Sequence, residues 1–117
     1  MSFVLSDVDG VILDSHGNLR QGAVDLLCGF AALGFEIVLW SGNGAEHARQ
    51  AADRIGLPNV RCLSKPPFPI RLDAALALLG TVPALQLDDD PFEHVADWPF
   101  VHIHCEGEWN YRKIRPA

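Results

Sequence analysis

Asp7 and Asp9 stand two residues apart, directly after the apolar run Phe3-Val4-Leu5-Ser6, and Gly10 follows them. A buried strand that ends this way concentrates negative charge at its carboxyl end. Side chains alternate faces along a strand, but the chain leaves the strand here. Glycine permits the sharp turn that lets both carboxylates converge on one point. Ligands of open α/β sheets bind just outside the carboxyl ends of the strands. A carboxylate pair at that address reads as a divalent-metal site joined to nucleophilic or acid–base chemistry. The competing reading is that Asp9-Gly10 is only a turn.

Further polar groups follow later apolar runs. Ser41-Gly42-Asn43-Gly44 comes after residues 35–40, Lys65 just after 59–63, and Asp88-Asp89-Asp90 after 84–87. If these runs are strands of one parallel sheet, their carboxyl ends share an edge and the polar groups share a site. That site holds carboxylates, a hydroxyl, free loop amides and one ammonium. Two unit charges ~4 Å apart at an effective dielectric of about 20 repel by roughly 4 kcal/mol. So many carboxylates around Lys65 therefore require protonation or a bound cation. All-oxygen ligation suits Mg²⁺, which keeps most of its waters and takes further ligands from a substrate phosphate. Lys65, Ser41 and the amides of Gly42, Asn43 and Gly44 are what a phosphoryl group needs around it. Phosphoryl transfer fits this set better than any other reaction class.

The elements that must position these groups alternate along the chain. Strands are expected over 3–8, 35–40, 59–63, 84–87 and 100–104. Helices are expected over 20–33, 45–55 and 70–79, each followed by a glycine stop at Gly34, Gly56 or Gly80. A short helix is expected over 91–97. The fold class is therefore α/β, a three-layer Rossmann-like parallel sheet of about five strands with helices on both faces. Right-handed crossovers leave few topologies.

Composition agrees with this class. The 117 residues suit a single domain, with 106–117 as a tail, and 49% are apolar, enough for a proper core. The formal net charge of −6 speaks against general nucleic-acid or anionic-membrane binding. Five of the fifteen acids fall in the two segments around Asp7 and Asp88. Cys28, Cys62 and Cys105 have neither disulfide nor zinc-knuckle spacing, and Cys28 and Cys62 are expected as buried thiols. No apolar run approaches membrane-spanning length and no secretory leader is evident, so a cytoplasmic location is expected.

Taken in order, Phe3 to Val11, Leu39-Trp40-Ser41-Gly42-Asn43, Lys65-Pro66 and Leu85 to Asp90 resemble the four motifs of the haloacid dehalogenase superfamily. The likeness runs from about residue 3 to residue 104. It implies a Mg²⁺-dependent phosphomonoester hydrolase in which Asp7 is the nucleophile and forms an aspartyl-phosphate. Asp9 would protonate the leaving group and then activate water. Ser41 would hydrogen-bond the phosphoryl group, with Gly42 and Asn43 beside it as substrate-binding positions, and Lys65 would neutralise it while pairing with Asp7. Mg²⁺ would take Asp7, the Asp9 carbonyl and one acid of the fourth motif. Asp89 is favoured as that direct ligand and Asp88 as its support, with the reverse register open because Asp90 follows. An Asp at position 9 favours a phosphatase over a dehalogenase.

Both points where this superfamily inserts a cap domain, 10–19 and 61–71, are short here, so the resemblance implies a capless enzyme. A narrower likeness to the KDO-phosphate phosphatase branch, whose members form tetramers, rests on Asp7 to Val11 and the short flap after it. The partner expected is a phosphorylated small molecule or macromolecular end. Trp98, Trp109 and Tyr111 cluster towards the C-terminus with Arg112, Lys113 and Arg115, a stretch with no clear period that packs on its own domain, covers a neighbour's site or is loose. Its aromatics and arginines make it a candidate homo-oligomer contact.

Other residues carry weaker signals. His16, His47, Glu46 and Arg49 could reach a substrate, but each reads first as a surface residue. His102 and His104 alternate on the last strand and lack further zinc ligands at workable spacing. A phosphoacceptor receiver module is disfavoured because Lys65-Pro66 precedes the acidic strand end. A non-catalytic scaffold is the main alternative, disfavoured because Asp7, Asp9, Ser41, Lys65 and Asp89 are all present. A DxD glycosyltransferase would need a longer chain.

Overall fold

The computed structural model describes residues 2–57, 59–90 and 98–103. The order of elements is β1 (Phe3–Asp7), α1 (Gln21–Ala32), β2 (Glu36–Ser41), α2 (Ala45–Ile55), β3 (Arg61–Ser64), α3 (Leu72–Leu79), β4 (Leu85–Asp88) and β5 (Phe100–His102). All five strands form one parallel sheet in the order β3-β2-β1-β4-β5. This is the expected Rossmann-like α/β arrangement. The chain steps outward from β1 to β2 and β3, then returns to the other side of β1. The strand order thus switches direction between β1 and β4, where sheets of this kind open a crevice at their carboxyl edge.

Alternation along β1 sends its residues to two different cores. Val4 faces one layer with Ile37, Leu39 and Leu87, against Leu27 of α1 and Ala48, Ala51 and Ala52 of α2. Phe3 and Leu5 face the other with Val38 and Trp40, against Ala75 and Leu79 of α3 and against Trp98. Small residues on α2 let that helix lie close to the sheet. Gln86 is fully buried in β4, and its side-chain oxygen accepts a hydrogen bond from Trp98 Nε1 at 2.6 Å. That bond offsets the desolvation of both groups.

Boundaries differ from expectation by one or two residues, for local reasons. The third strand starts at Arg61 rather than 59, because Asn59 holds φ at +61° and cannot begin an extended run. The third helix starts at Leu72 rather than 70, since Arg71 is extended (φ −85°, ψ 141°), and Ile70 packs on the core from outside the helix. The second strand runs one residue further, to Ser41. Cys28 and Cys62 are only half-buried, against the expectation of buried thiols. Cys62 lies on the edge strand β3, and Cys28 sits beside, not on, the buried stripe of α1. The helix expected over 91–97, His104, Cys105 and the tail residues Trp109, Tyr111, Arg112, Lys113 and Arg115 lie outside the described residues.

Candidate active site

Four chain segments bring the expected groups to the carboxyl edge at the switch point. Asp7 is the last residue of β1 and Asp88 the last of β4, and the two strands are neighbours. Carboxylate oxygens of Asp7, Asp88 and Asp89 lie within 4.8 Å of one another. Lys65, just past β3, reaches across with its Nζ 3.2 Å from Asp7 Oδ1 and 2.9 Å from Asp88 Oδ2. The side chain of Lys65 is 6% exposed and that of Asp88 1%, so this bridge is made in a poorly solvated place. Asp88 Oδ1 also accepts a hydrogen bond from the Asp90 amide at 3.0 Å, which turns the chain after β4.

The electrostatics follow from that burial. Asp7 is raised from its ordinary 3.8 to about 8, first by loss of water and then by the Asp88 charge, which together outweigh Lys65. Asp89 is raised to about 6, again by burial first and Asp88 second. Three carboxylates around one ammonium carry an excess of negative charge. The cluster can hold protons, or it can hold a cation.

Gly10 decides how close the acids come. Its φ is +86°, and a Cβ added there would run into the Asp89 carboxylate. Only glycine combines that backbone with room for Asp89. The segment after it is less loop-like than its composition suggests. Val11, Ile12 and Leu13 are buried, and the Val8 carbonyl accepts bonds from the amides of all three. Arg20 fastens the turn by donating from one guanidinium nitrogen to the carbonyls of Gly10 and Val11, at 3.1 and 3.0 Å. At its far end Asp14 accepts from the amides of His16 and Asn18, both at 2.9 Å, and Arg54 of α2 donates to the Gly17 carbonyl at 2.8 Å. The flap is tied down at both ends.

The side chain of Asp9 lies apart from the acidic cluster, which is formed by Asp7, Asp88 and Asp89. Its Oδ2 accepts a hydrogen bond from Asn43 Nδ2 at 2.8 Å, and its Oδ1 lies 3.0 Å from His47 Nε2. Asn43, expected beside the substrate, thus spends its amide nitrogen on Asp9. Ser41 is buried, and its Oγ accepts from the Asn43 amide at 3.0 Å, shaping the turn in which Gly42 also lies. The backbone carbonyl of Ser41 accepts from the amides of Gly44 and Lys65, so one residue sets both the second turn and the start of the lysine loop. The remaining candidates divide. His47 stands at the site, whereas Arg49 is turned toward the Val60 carbonyl at 2.8 Å, and the His16 amide is engaged in the flap turn.

Sequence reasoning ranked His47 with ordinary surface residues. The signal that could have raised it is its spacing: it lies four residues beyond Asn43, across the start of α2, so both side chains can reach one partner. No family model, curated protein or solved structure matches the chain. Among the described residues no helix is long and apolar enough to cross a membrane.

Proposed function

We propose that the protein is a Mg²⁺-dependent phosphomonoester hydrolase of the haloacid dehalogenase type, working through an aspartyl-phosphate on Asp7. The observation that carries this reading is the convergence of Asp7, Asp88 and Asp89 around Lys65 at the topological switch point. The donor set fits a hard divalent cation, being all oxygen and too crowded with negative charge for every carboxyl to stay ionised unaided. Asp7, Asp88 and Asp89 would hold Mg²⁺. Its charge would restore Asp7 to a carboxylate and offset the negative charge of a phosphoryl group.

The residues then divide the work. An oxygen of Asp7 attacks phosphorus, a bond forms between them, and the ester P–O bond breaks. Asp9 gives its proton to the departing alkoxide. In the second half Asp9 takes a proton from water, whose oxygen attacks the same phosphorus. Inorganic phosphate leaves and the Asp7 carboxylate is regenerated. Lys65 keeps Asp7 fixed by bridging it to Asp88, and its charge faces the incoming phosphoryl oxygens. The Ser41 hydroxyl, whose turn bond uses only an oxygen lone pair, keeps its proton for a phosphoryl oxygen. The substrate class is a phosphate monoester presented to an edge with no cap segment in either connection.

The test is phosphate release from a broad panel of phosphomonoesters, with and without Mg²⁺, by the wild type and Asp7→Asn. Mg²⁺-dependent turnover abolished by the substitution is expected. A folded wild type that binds Mg²⁺ yet releases no phosphate from any ester would overturn the reading in favour of a non-catalytic role.

A further inference from the structure

Two side chains of one connection grip the same carboxyl group. Asn43 sits in the turn after β2 and His47 in the first turns of α2, and they meet the two oxygens of Asp9 at 2.8 and 3.0 Å. The Asp9 side chain is 48% exposed and that of His47 32%. A half-exposed aspartate would ordinarily sample several rotamers, because nothing in its packing chooses one. Here the choice is made by polar contacts on both oxygens, one for each.

The platform that carries the grip is itself fixed. The Gly44 amide bonds to the Ser41 carbonyl at 3.0 Å, and the Ala48 amide to that of Gly44 at 3.2 Å. The Ala45 amide donates to Ser64 Oγ on the neighbouring strand β3 at 3.0 Å. The start of α2 is therefore anchored to two strands, and Ala48, one residue beyond His47, is fully buried against the sheet. His47 cannot drift without dragging the helix.

We infer that His47 is a positioning residue that, together with Asn43, holds the Asp9 carboxyl in one orientation for proton transfer. It acts through Asp9 and needs no contact with substrate. A partly exposed pair of this kind adds little to stability, so its value lies in orientation. The inference rests on the phosphatase reading, in which Asp9 supplies the leaving group's proton.

Leaving-group dependence tests it. An alkoxide cannot depart without a proton, whereas p-nitrophenolate can. The readout is kcat/KM, which reports only steps through departure of the leaving group and not the water step shared by all esters. With His47→Ala, kcat/KM for glycerol 2-phosphate is expected to fall roughly 10- to 100-fold, part of what a placed general acid contributes, while kcat/KM for p-nitrophenyl phosphate changes less than about 3-fold. His47→Gln, which can present a side-chain N–H to Asp9 Oδ1, should recover most of the alkyl activity. Mg²⁺ affinity and thermal midpoint should stay near wild type in both variants. Equal losses on both esters, or no loss on either, would overturn the inference and leave the phosphatase reading standing. A folded wild type inactive on every ester would overturn both.

Discussion

Asp7 carries the strongest conflict between stability and chemistry in the molecule. Burial and the Asp88 charge raise it to about 8 despite Lys65 at 3.2 Å, so without a cation the folded protein keeps a proton there at neutral pH. Holding that proton, or giving it up, is unfavourable relative to an aspartate in water. Asp7→Asn removes the difficulty and keeps the shape. The metal-free variant is expected to be more stable than the wild type at neutral pH, by on the order of 1–2 kcal/mol, while losing all turnover. Urea unfolding in the presence of a chelator measures this, and a variant less stable than wild type would show that the Lys65 bridge outweighs burial. At this scale the sequence was informative about identity and silent about direction. Two acids on either side of Val8 predict a shared site. Nothing in their spacing says that Asp7 turns to Lys65 and Asp88 while Asp9 turns to Asn43 and His47. That division depends on where β4 and α2 finish in space.

The elements were legible because their signals are local. Alternating strand and helix patterns, with Gly56 stopping α2 in a left-handed conformation (φ +82°), predict the five strands and three helices found among the described residues. What was not legible came from contacts distant in sequence. Residues 11–13 fall in the short connection 10–19, to which the sequence patterns assign no strand or helix, yet they are core, because the Val8 carbonyl gathers their amides and presses Val11, Ile12 and Leu13 inward. The turn between β1 and this segment depends on Gly10. Gly10→Ala would place a Cβ at φ +86°, a backbone that costs an L-residue about 1–2 kcal/mol. The Asp89 carboxylate, being the end of a flexible side chain, would swing away. The expected outcome is a lower urea midpoint together with weaker Mg²⁺ binding by calorimetry, on the order of tenfold for displacement of one support of the acidic cluster. Unchanged Mg²⁺ affinity in a destabilised variant would separate the turn from the metal site.

Across the whole molecule, the carboxyl edge gathers acid in a chain that is already acidic, with a net charge of −6. The sheet order places β1 beside β4, so the two acidic strand ends are adjacent by topology, and the one ammonium of Lys65 bridging them leaves the cluster with excess negative charge. Stability must therefore depend on pH in a definite direction. Asp7 and Asp89 both have folded values above their unfolded value of 3.8, at about 8 and about 6. In that case the folded state binds protons that the unfolded state has released, so their contribution is fully present below about pH 4. It is lost as pH rises, through both groups up to about pH 6 and through Asp7 alone from there to about pH 8. Metal-free protein is expected to lose several degrees of thermal midpoint between about pH 5 and about pH 8 through this term. Mg²⁺ competes with those protons, so its stabilising effect should grow over the same window, small at about pH 5 and largest at about pH 8. Thermal melts at both pH values, with chelator or with Mg²⁺, measure the difference. The Asp7→Asn background supplies the control, because removing the higher of the two titrations should flatten the metal-free slope above about pH 6. A Mg²⁺ effect independent of pH, or a metal-free protein that gains stability up to about pH 8 in wild type alone, would mean that the acids at the edge are already neutralised from within the fold.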